Sequence, residues 1–138
     1  MNTKLLGITI NRSVVILRPK QPVLDWIRAV DPNHPTEIDL IELQKDCDAF
    51  LIPDESIMDH EDAVRFIKKR WRQLFDHMLE EWILDESLWP NPRTLKLFRQ
   101  WFEPIFCPMA WDLVGTPLEI QDWDGDGDSE DEELAWLH

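Results

Sequence analysis

Apolar residues recur along the chain in two periods, and the changes of period mark the elements. Residues 13–17 read SVVIL, a β-branched run without polar alternation that Pro19 closes, which predicts a strand extended backward through Ile8, Thr9 and Ile10. Pro22 suits the first turn of a helix through Val30, with Val23, Leu24, Ile27 and Val30 on one side. Residues 31–35 hold two prolines and read as a loop. Thr36 then predicts the cap of a short helix from Glu37 to about Lys45, with Ile38, Ile41 and Leu43 apolar. A second strand, 49–52, is closed by Pro53 and Asp54.

The longest predicted element follows. Asp59 caps a helix running to about Leu84, roughly 26 residues or ~39 Å of axis. Val64, Ile67, Trp71, Leu74, Phe75, Met78 and Trp82 repeat at three and four and give it one buried stripe. Residues 85–90 read as a turn. Asn91 and Pro92 predict an N-cap and first helical position, with Leu95, Phe98, Trp101 and Phe102 apolar and Pro104 as the stop. Residues 105–114 fit an edge strand better than a helix, 115–117 a turn, and 118–120 one more short strand. Strands separated by helices predict an α+β class: a single small domain over residues 1–121, with a three- or four-stranded sheet and four helices packed mainly on one face. Residues 122–138 read as an appended acidic tail.

Charge sharpens that division. The formal net charge is −14, and residues 122–133 supply −8 of it with no base, leaving −6 for the rest. An acidic balance speaks against direct nucleic-acid binding, which needs a basic face, and leaves nucleic-acid mimicry as a reading from charge alone. No apolar run approaches a membrane span. Two cysteines sixty residues apart, Cys47 and Cys107, fit a reducing compartment. Four glycines in all leave no phosphate-cradling loop.

Candidate chemistry is sparse. The tail spells a calcium-loop formula, with Asp122, Asp124, Asp126 and Glu133 as side-chain ligands and Asp128 offering a carbonyl. Calcium is the one candidate cofactor. Ser129 stands where paired loops carry an apolar residue, and no helix enters the loop, so a solvated acidic tail is the simpler reading. Arg65, Lys68, Lys69 and Arg72 form a basic stripe that could meet an acidic partner. The plain alternative is a solvated face with Glu61–Arg65 and Arg72–Asp76 pairs. Eight tryptophans without a tyrosine are unusual. Trp89, Arg93 and Asp85 could form one end of a binding groove, since Trp and Arg are enriched at interface hot spots, or Trp89 could anchor the turn. A carboxylate- or metal-based enzyme site would centre on His77, Glu81 and Asp85, yet no second close histidine accompanies them.

Three stretches, NRSVVILRPKQPVLDW (11–26), AFLIP (49–53) and DESLWPNPRTLKLFRQWF (85–102), resemble a family of small bacterial proteins of unassigned activity. The resemblance spans about residues 11–113. It implies a bacterial cytoplasmic protein and brings no activity and no site residue with it. The expectation is a non-enzymatic cytoplasmic domain, monomer or weak homodimer, that binds an unidentified protein.

Overall fold

The computed structural model describes residues 8–31 and 38–123. The elements run β1 (Arg12–Pro19), α1 (Gln21–Val30), α2 (Leu40–Lys45), β2 (Ala49–Pro53), α3 (His60–Lys68), α4 (Trp71–Glu80), α5 (Leu95–Trp101) and β3 (Phe102–Cys107), with a 3-10 turn at Glu86–Leu88. The three strands form one antiparallel sheet in the order β2-β1-β3, so the most apolar strand is central. This is an α+β fold. No helix among the described residues is long and apolar enough to cross a membrane.

Pairing decides which side chains share a face. Val15 lies opposite both Phe50 and Phe106, Ser13 opposite Ile52, and Leu17 opposite Pro104. On this face Ser13, Val15, Leu17 and Pro19 are all buried, and the buried residues of the helices join Val15, Leu17, Ile52 and Phe102 in one core. Phe75 sits at its centre, with ring centroids of Phe98, Trp101 and Phe102 at 5.5, 5.6 and 5.9 Å. Two buried indoles also satisfy their polar ends: Trp26 Nε1 donates to Leu88 O at 2.9 Å and Trp89 Nε1 to Ile83 O at 2.7 Å. Ser13, the buried polar residue of β1, donates its hydroxyl to Pro108 O at 3.0 Å.

Several expected boundaries shift. The single long helix is two helices, which makes five among the described residues rather than four. Arg70 leaves the helical path (φ −116°, ψ 16°). Its guanidinium lies 3.6 Å from the Phe66 ring centroid and donates to Phe66 O, the carbonyl its own N–H would bond in a continuous helix. The Arg70 N–H turns to Ile67 O instead, at 3.0 Å. The break also shortens a ~39 Å rod that would overshoot a sheet whose longest strand reaches only ~26 Å.

The other shifts have local causes. Asp39 caps α2 by accepting from Glu42 N at 2.8 Å, whereas Thr36 and Glu37 lie outside the described residues. α5 is capped by Thr94, which accepts from Leu97 N at 3.1 Å, not by Asn91. The segment before it is held across α4 by an Arg93–Asp76 ion pair of 2.9 Å. β3 begins directly after Trp101 and carries Pro104 within it, which an edge strand tolerates. Beyond Cys107, among the described residues, a Thr9–Trp111 bridge alone continues the ladder, with hydrogen bonds from Ile10 N to Ala110 O and from Asp112 N to Ile8 O. Residues 118–120 form no strand, and Leu118 and Ile120 stand exposed.

Candidate functional site

The side of the sheet away from the helices is also apolar. Ile16 lies opposite Ala49 and Ile105, and Val14 opposite Leu51 and Cys107, so these six share one face. None of them belongs to the core that the helices build. Leu51 is 56% exposed, and Val14, Ile16 and Ile105 are half-buried. Charge is confined to the ends of the face. Arg12 lies opposite Pro53, and Arg18 pairs with Glu103 at 2.6 Å, holding the Glu103 carboxyl below its ordinary pKa. Met109, Trp111, Leu113 and Val114 add exposed apolar surface in the stretch after β3.

A second constellation lies on the helix side. α4 presents His77 and Glu81 one turn apart, and Asp48 immediately precedes β2. His77 Nε2 lies 3.0 Å from Asp48 Oδ2 and 2.9 Å from Glu81 Oε1. The Phe50 ring meets the imidazole edge-on, with centroids 5.8 Å apart at 79°. Burial pushes the Glu81 carboxyl up to about 8, and the hydrogen bond to Asp48 and the charges of Asp48 and Asp46 add to it. Asp48 is lowered, first by the hydrogen bond from Glu81 and then by His77. The two carboxyl groups are thus driven apart, with Glu81 the one that favours its protonated form and Asp48 the one that favours its ionised form. Asp85, expected with His77 and Glu81, is elsewhere engaged: it caps the 3-10 turn, accepting from Ser87 N at 3.0 Å and from the Ser87 hydroxyl at 2.7 Å.

The basic stripe is divided by the break at Arg70. Arg65 and Lys68 join Lys20 and Arg99 around a cavity of about 600 Å³ whose lining includes Leu95 and Phe98. Lys69 and Arg72 stand exposed outside that lining. The expected pairings also differ: Arg65 bonds Asp62 at 2.9 Å rather than Glu61, and Asp76 pairs with Arg93 rather than Arg72. Glu61 and Glu103 line the same cavity, so its rim is of mixed charge with an excess of bases over an apolar floor. Trp89 faces inward at 7% exposure, with the Arg93 guanidinium 5.3 Å from its ring centroid. Trp89 and Arg93 thus brace the turn before α5, leaving little of the indole to offer a partner.

Of the calcium-loop pattern only Asp122 falls among the described residues; Asp124, Asp126, Asp128 and Glu133 lie outside them. Comparison with family models, curated proteins and solved structures finds no match. Asp48 escapes a reading of sequence because it lies 29 positions from His77 and joins it only through the fold. The open sheet face did have a signal, the unbroken apolar run of 13–17. A strand with apolar residues on both sides asks for cover on both.

Proposed function

We propose that this is a non-enzymatic domain that works by binding another protein through the open face of its sheet. The observation that carries the reading is the doubly apolar central strand. Val15 and Leu17 are buried by the helices, while Val14 and Ile16, with Leu51 and Ile105 beside them, lie outside that core. Contiguous apolar surface of this kind marks interaction sites on soluble domains. Covering the exposed part of Leu51 alone contributes about 1 kcal/mol. The partner it suits presents an apolar, uncharged face, because charge on this surface stands only at its two ends. We place the protein in a reducing, cytoplasmic setting, in keeping with its two free thiols and with the bacterial family it resembles.

Site-specific photo-cross-linking in the native cell tests this. A benzophenone side chain at Leu51 should give one discrete intermolecular adduct, and the same group at exposed Gln73 on α4 should not. Ile105→Lys should remove the adduct while leaving the purified domain folded. Equal patterns from positions 51 and 73, or a cross-link only within the chain, would overturn the reading.

A further inference from the structure

We propose that Asp48, His77 and Glu81 form a binding site for a divalent transition-metal cation of the Zn2+ class, with two carboxylate oxygens and one imidazole nitrogen as its ligands. The three ligand atoms all lie within 4.8 Å of one another, and two of the three separations are 2.9 and 3.0 Å. Around a tetrahedral ion with bonds of about 2.0–2.2 Å, ligand atoms stand about 3.3–3.6 Å apart. The two separations from His77 Nε2 therefore need to open by only about 0.3–0.7 Å to admit the ion.

The apo arrangement is also incompletely matched. His77 Nε2 carries at most one hydrogen, yet it faces an oxygen from each of two carboxyl groups. With the hydrogen on Nδ1 instead, the Nε2 lone pair points at the same spot as the two carboxyl groups. A divalent cation there accepts a lone pair from each of the three atoms at once. Two carboxylates balance its charge.

The fold supports this placement independently of the ligands. Glu81 is the C-cap of α4, so the cluster stands at the negative end of a ten-residue helix, which favours a cation. His77 and Glu81 are spaced i,i+4 on that helix and need no loop to bring them together. Asp48 comes from the chain leading into β2, and Phe50, two residues on, fixes the plane of the imidazole by its edge-on contact. A mixed nitrogen and oxygen set selects a borderline cation over calcium or magnesium, which take oxygen alone. Three protein ligands on a half-exposed surface leave a fourth position for water. The site lies on the helix side of the sheet and does not depend on the open face.

The test uses the full-length, chelator-treated protein. Cobalt(II) serves as the spectroscopic probe and Zn2+ as the calorimetric one. The expected result is one tight equivalent with a ligand-field band stronger than that of the aqueous ion, and a shift of the His77 ring-proton resonance in NMR. His77→Ala and Asp48→Asn should each weaken binding at least ~10-fold, the scale of loss when even an outer-shell partner of a metal site is removed. Side-chain exposures of 51%, 41% and 38% at His77, Asp48 and Glu81 make these variants compatible with folding, which circular dichroism checks. Should one of them fail to fold, Glu81→Gln takes its place with the same expectation. Excess Ca2+ should not displace the cobalt. Cobalt binding unchanged in His77→Ala, displacement by Ca2+, or no ligand-field band at millimolar cobalt would each overturn the site.

Discussion

Phe75 is the residue through which α4 meets both α5 and the start of β3, and its truncation gives the sharpest test of the packing. It is fully buried, and its ring lies within 6 Å of the rings of Phe98, Trp101 and Phe102. Buried Phe→Ala changes cost about 3–5 kcal/mol through lost transfer energy and the cavity left behind. Aromatic pairs add about 0.5–1.5 kcal/mol each beyond area. With three such pairs, Phe75→Ala belongs at the upper end, about 4–5 kcal/mol. That is a large share of the roughly 5–15 kcal/mol typical of a domain, and it corresponds to a fall in Tm of very roughly 15 °C. Urea unfolding followed by circular dichroism and by tryptophan fluorescence reads the loss as a lower midpoint at unchanged slope. Phe66→Ala is the internal control, since Phe66 is half-buried and stacks on Arg70 at the helix break; its cost should be about 1–2 kcal/mol. Equal costs at the two positions, or a loss at Phe75 below about 2 kcal/mol, would refute a core centred on that ring.

Three further outcomes follow from single contacts. Trp26→Phe keeps most of the ring and leaves Leu88 O without the indole donor, so it should cost about 1–2 kcal/mol in the same unfolding assay. Asp59→Ala removes the cap that accepts from Asp62 N and should cost about 1 kcal/mol, with lowered amide protection confined to the first turn of α3. Glu81 carries a pH signature in metal-free protein. The folded state holds its proton up to about pH 8, whereas the unfolded chain releases it near the ordinary value of 4.5. Stability from this group is present below that lower value and is lost as pH rises through the window. Glu81→Gln should therefore gain relative to wild type between about pH 5 and 8, by only ~1 kcal/mol because the side chain is more than a third exposed to solvent. A difference that is flat across that window contradicts the raised carboxyl.

The fold class was legible because its carriers are local. The run at 13–17, the short strand at 49–52 and the periodic stripes of α1, α4 and α5 all stand in the structure. The helix break at Arg70 was not legible, since no glycine or proline marks it and the apolar spacing passes through it undisturbed. Its cause is one arginine taking one carbonyl, a choice made in three dimensions. The cap of α5 was misplaced for a similar reason: Asn91–Pro92 has the composition of a helix start, but the Arg93–Asp76 pair holds that segment outside the helix. Two of the three proposed metal ligands, His77 and Glu81, were visible on one helix face. Asp48 was not, because nothing in the intervening residues says that the start of β2 returns to the end of α4.

In the proposed function the open sheet face is covered by another protein in the cell. Carbene footprinting read by mass spectrometry addresses it residue by residue, comparing purified protein with the same chain in gently lysed native extract. Leu51, Val14, Ile16 and Ile105 should label in the purified protein and become protected in extract, while Met58 and Leu84, which are 81% and 80% exposed and lie off that face, should label alike in both. Equal labelling of Leu51 in the two samples, or protection that falls on Met58 and Leu84 as much as on the sheet, would contradict it.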